Sequence, residues 1–486
     1  MPSVIVIGGG VSGLATARYL MESVPNLDLK LLEASDASGG NIRTDRSDGF
    51  VTELGPNGFL NQHPSTLDLA NGLGLADEVI SGCEQMRRRY IFWQGKLRRF
   101  PDSPSTFFST DLLSVSARAR MLLEPLIAAG PGVLDETVGQ FARRRLGREA
   151  SELLIDPVVS GIYAGDPDRL SLRSALPHLA QLDGKGKSVL LAMVQNRHSG
   201  APERSASPSV LGRRRYISFR EGLQQFTDAL AHSLGSRLRT KSPVAKVEKS
   251  GGRWRVVVNG PSPRDYHADV VVSAAPSTAC RRFLRDLHPD ISGICAKTPY
   301  APVAVVALGY READIPHPLR GFGHLVPSRS HTSVLGGLWT TSIFPSHRAA
   351  PGRVLIQCVL GGARDPEICT TDQDILIHRA CVHLRKALGV TVPPIYVKVQ
   401  RHHLGIPQYE VGHADRLKRL DAALNGFSGL FMVGNAFRGV GINTCTADAE
   451  RVAQRVGDYL SALGERPPTI AQEHKSNPLI SERLRL

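Results

Sequence analysis

An α/β fold, with one domain assembled from separated stretches of chain, a mixed-sheet domain and a helical insertion, is predicted by three observations. A short β-branched run at residues 3–7 feeds directly into Gly8-Gly9-Gly10-Val11-Ser12-Gly13 and then into a helical pattern. Far downstream, residues 268–276 are apolar almost throughout, as suits a strand buried on both faces of a parallel sheet. Near the C-terminus the order of strand, glycine turn and helix is repeated.

In the first unit the glycines sit at GxGxxG spacing, and each has a physical task. Gly8 permits the tight turn, Gly10 lets the backbone approach a pyrophosphate, and Gly13 lets the helix lie close on the strand. The pyrophosphate would rest at the helix N-terminus, with Gly9, Val11 and Ser12 completing the loop. Leu14, Ala17 and Met21 recur at helical spacing and give this helix an apolar face. A second strand, 27–32, ends in Glu33, twenty residues beyond Gly13. A carboxylate there accepts hydrogen bonds from an adenosine ribose and repels a 2′-phosphate. The unit reads as a Rossmann-type site for FAD or NAD rather than NADP.

Gly39-Gly40-Asn41-Ile42-Arg43-Thr44 and Glu53-Leu54-Gly55-Pro56-Asn57-Gly58 follow closely. Paired glycines imply backbone passing near a ligand, Arg43 is placed to reach a phosphate, and Asn57 a ring edge. Gly40, Asn41, Arg43, Gly55, Pro56, Asn57 and Gly58 are therefore expected at the cofactor. At the other end, 429–433 reads as a strand running through Gly434-Asn435 towards Gly439-Val440-Gly441-Ile442-Asn443. The helix beyond carries Ala449, Val452, Ala453, Val456 and Leu460 on one face. Its N-terminus suits negative charge on a reduced flavin ring, which adds Asn435, Val440, Gly441 and Ile442 to the expected cofactor residues. No second GxGxxG is present. A flavoprotein without a separate nicotinamide domain takes electrons from its substrate and passes them to a diffusing acceptor such as oxygen.

Length and composition agree with a large globular protein. The chain has 486 residues, 42% of them hydrophobic, enough for two or three domains. A net charge of +14 is compatible with nucleic acid, an anionic membrane surface or an acidic small substrate. The arginine triplets at 87–89, 143–145 and 213–215 lack interleaved aromatics and read as solvated faces, so no nucleic-acid partner is expected. Seven cysteines, without CxxC or metal-ligand spacing, suggest buried thiols in a reducing compartment and no metal. The nucleotide unit begins at residue 3, which leads us to expect no targeting peptide. The longest apolar runs are far short of the roughly 18 residues of a spanning helix. A cytoplasmic protein, peripheral to the inner face of the cytoplasmic membrane, is the expectation.

Between the two nucleotide-binding signals the pattern changes. Residues 89–215 read as a mainly helical insertion, with helices at 112–127 and Val138–Leu146, a small-residue turn at Tyr163-Ala164-Gly165-Asp166-Pro167, and a Ser/Pro/Arg-rich loop at 199–212. The apolar stretch 189–194, flanked by Lys185, Lys187 and Arg197, reads equally as a membrane-docking patch or a core helix. Strand-like runs at 303–308, 336–340 and 354–360 predict a second sheet, a natural platform for substrate. His402 and His403 have no ligand-like partners in spacing. The expected domains are 1–88, 216–298 and 405–463 for the discontinuous FAD-binding domain, 299–404 for the mixed-sheet substrate domain, 89–215 for the insertion and 464–486 for a tail.

From residue 1 to about 463 the chain resembles the oxygen-dependent protoporphyrinogen oxidases of the FAD-containing amine-oxidase-like superfamily. The resemblance rests on GGGVSGLA, ELGPNGFL, GKLR, SGIYAGDP, RSALP, GFGHLVPS, VLGG, GIPQYEVGH and GNAFRGVGIN. It implies non-covalent FAD lined by residues 8–13, Glu33, Asn41, residues 55–58, Val244 and residues 440–442. Val244 rests on the resemblance alone. The resemblance also implies that Arg98 in GKLR pairs with a substrate propionate, a task suited to a planar, permanently charged fork. Leu325 and Leu338 match positions that sandwich a pyrrole ring, with Ala164 and Gly165 nearby. Val359 falls where relatives often carry Phe or Met, and offers a smaller face.

The implied reaction takes protoporphyrinogen IX to protoporphyrin IX in three FAD-dependent steps, each reoxidised by oxygen to give hydrogen peroxide, in heme biosynthesis. No general base is identified. A peripheral membrane contact and a homodimer are compatible with the resemblance. The nearest rival is a flavin-type coproporphyrinogen III oxidase, which would need cationic partners for four propionates rather than two. An amine oxidase or carotenoid desaturase is more distant, and no flavin-attaching Cys-Tyr sequence accompanies Cys445. A non-catalytic binding protein of the same fold is disfavoured by the two intact glycine turns.

Overall fold

The computed structural model of the chain describes residues 1–61, 63–128, 130, 135–186, 188 and 215–464. The patch at 189–194, the loop at 199–212 and the tail after 465 lie outside the described residues.

A five-stranded parallel sheet forms one half, in the order Leu238–Arg239, Asp28–Leu32, Ser3–Ile7, Val270–Ser273, Leu430–Met432. Three separated stretches supply it, as the sequence leads one to expect. Val4 pairs with Leu29 on one side and Val270 on the other, and every residue of the central strand is buried. The pleat sends alternate residues to opposite faces. Val4, Val6, Leu31 and Val272 meet the helices Val11–Ser23, Gln224–Leu234 and Ile442–Gly464 through Leu14, Leu20, Phe226, Leu230, Val452 and Val456. Ile5, Ile7 and Val271 face a three-stranded antiparallel sheet, Val244–Ser250, Arg253–Val258 and Arg264–Ala268, whose Trp254 and Val256 fill the space between.

The other half is a mixed sheet of seven strands, in the order Tyr396–Pro407, Tyr300–Arg311, Arg353–Gly361, Val334–Trp339, Gly323–Leu325, Arg89–Trp93, Lys96–Arg99. Neighbours are antiparallel except Gly323–Leu325 and Arg89–Trp93, which run parallel. Its back packs on the helix Gln373–Leu388 through Val306, Ile356, Leu376, Ala380 and Leu384. Within this layer His324 and His383 are buried, their Nε2 atoms 2.7 Å apart.

Two expected boundaries move. Residues 89–99, read as the start of the helical insertion, form the outer hairpin of the mixed sheet. Gln94 and Gly95 between the strands both have positive φ, 49° and 73°, the two-residue turn that suits a right-twisted hairpin. The strand Tyr396–Pro407 likewise runs through the boundary expected at 405, because its pairing with Tyr300–Arg311 continues to Pro407. The insertion itself is helical. Val138–Leu146 forms as expected, capped by Thr137 and Gln140. The helix expected over 112–127 is confined to Val115–Leu122, capped by Ser114, with a separate short turn at Glu124–Leu126. Among the described residues no helix is long and apolar enough to cross a membrane.

Candidate functional site

Three glycine-rich segments meet at the C-terminal ends of the parallel strands, where ligands bind in open α/β sheets. The steric limits at the first segment match its predicted tasks. Gly8 has φ +106°, and a Cβ there would lie 3.0 Å from the Ala274 backbone. A Cβ on Gly13 would fall 1.9 Å from the Gly8 carbonyl oxygen, so only glycine lets this helix start so close to the strand. A Cβ on Gly10 would meet nothing within 4 Å: the space outside Gly10 is open. No side chain caps the helix that begins at Val11, which leaves its first N–H groups for an anion. The cradle therefore fits a pyrophosphate.

Glu33 stands beside it. Its Oε2 accepts from the Gly9 N–H at 2.6 Å and its Oε1 from the Ser35 N–H at 2.8 Å, so the carboxylate is oriented by backbone. Ser242 N–H donates to the Glu33 carbonyl at 2.8 Å, and this brings the segment leading to Val244 to the same end. The next loop is laid against the first. Gly39 N–H donates to Gly9 O at 2.7 Å, and a Cβ on Gly40 would approach Gly10 Cα to 3.2 Å. Arg43, expected to reach a phosphate, donates to the carbonyls of Ser38 and Ala37 and braces this loop.

The third segment continues the path. Leu54 N–H donates to Arg43 O at 2.7 Å, and a Cβ on Gly55 would sit 2.0 Å from Asn41 O. Residues 39–43 and 53–58 therefore run side by side, with Pro56 and Asn57 next in line. Gly58 is pressed against Tyr216 and Ile217. Asn443 Nδ2 donates to Leu60 O at 2.6 Å, which brings Val440, Gly441 and Ile442, at the start of the C-terminal helix, to this end. Tyr409, absent from the sequence expectations as a site residue, orders that turn: its hydroxyl donates to Asn435 O and accepts from Gly439 N–H. Glu33 and Val244 mark one end of the path and residues 440–442 the other.

The expected substrate residues come together through strand register. Arg98, Ile91, Leu325, Gly336, Val359 and Val305 are paired in one row across six strands. Gly323, Leu338, Gln357 and Ala307 form the next row on the same face, two residues along each strand. At the Ile91 end this face is covered by Leu112, Leu113, Met121, Leu153 and Leu154 of the insertion. Leu325 lies against Gly161, where a Cβ would come within 2.6 Å of it. Ala164, in the left-handed region at φ 47°, accepts from Ala363 N–H at 2.7 Å, and Gly165 abuts Gln408 and Leu170. Arg364 pins this turn from the sheet side, with Asp156 at 2.6 Å and Asp166 at 2.9 Å.

Arg98 stands at the end of the row. Its side chain is 12% exposed and its Nε lies 3.0 Å from Oδ2 of Asp111, which is itself 72% exposed. On the far side, next to Asn41, an open cavity of about 400 Å³ is lined by Gly40, Arg43, Gln400, Arg401, His402 and His403.

Two buried residues link the halves. Gln357, 1% exposed, donates to Glu53 O and accepts from Asn57 Nδ2. The Glu53 carboxyl is wholly buried, with Thr44 Oγ1 and Leu223 N–H as donors and Arg348 3.8 Å away. Burial pushes its pKa up to about 7. Burial likewise holds His324 well below the usual imidazole range and His383 and His413 down to about 4.

These shifts set a pH dependence of stability. The unfolded chain takes up protons on three imidazoles between pH about 6.5 and 4 that the folded chain refuses, so their contribution is full above pH 6.5 and lost as pH falls towards 4. Glu53 acts oppositely, contributing below pH about 4.5 and losing that contribution as pH rises through 7. His317, His347 and His402 are held below the usual imidazole range by burial as well, so more groups act this way than Glu53 opposes, and stability falls on acidification. Urea midpoints at pH 7 and 5 check this; an unchanged midpoint would contradict it.

A cradle that fits a pyrophosphate, an oriented carboxylate beside it and a second helix N-terminus, set against an apolar sheet face, match an FAD-dependent oxidoreductase. The chain belongs to the flavin containing amine oxidoreductase family, which it matches over residues 11–457. It is 34% identical to the chloroplastic protoporphyrinogen oxidase of Nicotiana tabacum, over 94% of this chain and 86% of that protein. It is 31% identical to the coproporphyrinogen III oxidase of Bacillus subtilis (strain 168), over 94% and 98% respectively. A crystal structure from Exiguobacterium sp. 255-15, provisionally named a protoporphyrinogen oxidase, superposes with a TM-score of 0.79 at 25% identity, covering 94% of this chain and 98% of that one.

Proposed function

We propose that the protein is an oxygen-dependent oxidase that converts protoporphyrinogen IX to protoporphyrin IX. The observation that carries this reading is the row on the mixed sheet, which aligns Arg98, Leu325 and Val359 on one face, with Leu338 beside them and the cofactor loop bonded to the same face through Gln357. When bound, FAD supplies the hydride acceptor. The task of the chain is then to hold a puckered, apolar, dianionic macrocycle with one meso carbon against it.

Leu325 and Leu338 offer aliphatic contacts to the macrocycle, and Gly336 lets the Leu325 side chain lie close on the sheet beside Val359. Arg98 takes a propionate. Leu325 with its helical cover and the Ala164-Gly165 turn wall the pocket and keep water from the reacting carbon. The second row continues through Gly323 to Arg89, a further cation on the strand beside Arg98, and coproporphyrinogen III is kept as the comparison substrate. Oxygen is the proposed final acceptor and hydrogen peroxide the co-product.

A cytoplasmic location with peripheral contact to an anionic membrane is part of the reading. Phe108, Val115, Leu122, Leu123 and Leu126 are exposed together on the insertion, near Arg118 and Arg120. A homodimer remains a proposal to be checked by scattering. The test of the function is peroxide release and porphyrin fluorescence with protoporphyrinogen IX under air. Absence of both would reject the reading.

A further inference from the structure

We propose that Gln357 is a positioning residue that fixes the polarity of the Asn57 amide, so that Asn57 presents a hydrogen-bond acceptor to an N–H donor where the cofactor loop meets the substrate sheet. The polarity follows from a chain of three groups. Glu53 contributes a backbone carbonyl, which can only accept, so the Gln357 amide nitrogen must face it. The Gln357 amide oxygen then faces Asn57, and the Asn57 amide nitrogen must point back at it. Asn57 Oδ1 is left turned away from the chain.

That oxygen is buried, on a side chain 6% exposed, and has no protein partner. A buried acceptor without a partner costs stability unless a ligand completes it. The position is informative. Asn57 belongs to the segment that continues the cofactor path, and Gln357 lies in the substrate face beside Leu338 and two residues from Val359. A glutamine buried on the face shared by Leu355, Ala307 and Leu338 is an expensive choice for packing alone. The strand carries it because the loop needs a fixed partner.

Two donors have the required chemistry: the imide N–H of an isoalloxazine ring and the pyrrole N–H of a porphyrinogen. The second source rests on the proposed function, whereas the first does not. The experiment uses the full chain with Gln357→Leu and Gln357→Glu. Its readouts are thermal unfolding, titration of apoprotein with FAD and with N3-methyl FAD, and KM and kcat with whichever porphyrinogen reduces the flavin.

Gln357→Leu removes both bonds and frees the Asn57 amide. We expect a folded protein with a loss of about tenfold or more in FAD affinity if the imide is the donor, or a comparable rise in KM with FAD affinity unchanged if the donor is a pyrrole. In the first case N3-methyl FAD binds wild type and variant alike. Gln357→Glu still accepts from Asn57 but donates to the Glu53 carbonyl only when protonated, so the lost function should return as pH falls. It is read against wild type, because Glu53, Arg348, Tyr216 and His402 titrate or carry charge around the same loop. A folded Gln357→Leu with FAD affinity and KM both unchanged would overturn the proposal. So would a loss that tracks the melting temperature with no recovery of Gln357→Glu at low pH. Failure of every porphyrinogen to reduce the flavin would remove the proposed function and leave the FAD titration to decide the role of Gln357.

Discussion

Gly10→Val should give a folded, colourless protein. The side chain it adds points into open space, since a Cβ at this position meets no atom within 4 Å, so the ligand-free fold loses little. The pyrophosphate must pass through that space to reach the helix N-terminus, and the isopropyl group fills it. FAD affinity is expected to fall by at least about a hundredfold, the loss of two or more hydrogen bonds to a charged group. Gly13→Ala is the contrast. Its Cβ would collide with the Gly8 carbonyl oxygen at 1.9 Å, so here the fold itself should weaken. Thermal unfolding and FAD titration of the two variants separate cradle from packing. Full flavin occupancy in Gly10→Val would contradict this placement of the cofactor.

The second large effect is expected at the other end of the site. Arg98→Ala should raise KM for a dianionic porphyrinogen with kcat changed less, by about 1.5–3 kcal/mol, or roughly ten- to 150-fold. The existing partners of Arg98, the Trp93 carbonyl on Nη1 and Asp111 on Nε, do not remove this expectation. Asp111 is 72% exposed, so its ion pair is screened and weak, and it orients the guanidinium more than it occupies it. Arg98→Lys should recover only part of the loss, because an ammonium lacks the planar fork. Steady-state kinetics on both variants check this, and an unchanged KM in Arg98→Ala would assign the propionate to another cation.

What the sequence made legible was local. The glycines, Glu33 and the C-terminal turn declare themselves because each task depends on neighbours a few residues away, and the structure places them on one path. Arg43 is bonded to nearby loop carbonyls, which an arginine beside glycines satisfies as readily as a phosphate. The row from Arg98 through Leu325 to Val359 depends on register between strands more than 200 residues apart, which periodicity does not carry. The family resemblance supplied those residues; the pairing explains why they share a face. Residues 89–99 were read as part of the insertion because three arginines and a lysine obscured a period-two pattern around the Gln94-Gly95 turn. Gln357 had a signal, a polar residue within the apolar run 354–360, and Tyr409 had none beyond its motif.

On this reading the flavin site faces a pocket built for a porphyrinogen with two propionates. Anaerobic mixing of the purified protein with protoporphyrinogen IX and, separately, with coproporphyrinogen III tests it most directly, by following bleaching of the flavin absorbance. Fast bleaching by protoporphyrinogen IX, a slower response to coproporphyrinogen III, and recovery with peroxide formation once oxygen is admitted are expected. Faster bleaching by coproporphyrinogen III would contradict the substrate assignment, and no bleaching by either would contradict the porphyrinogen pocket altogether.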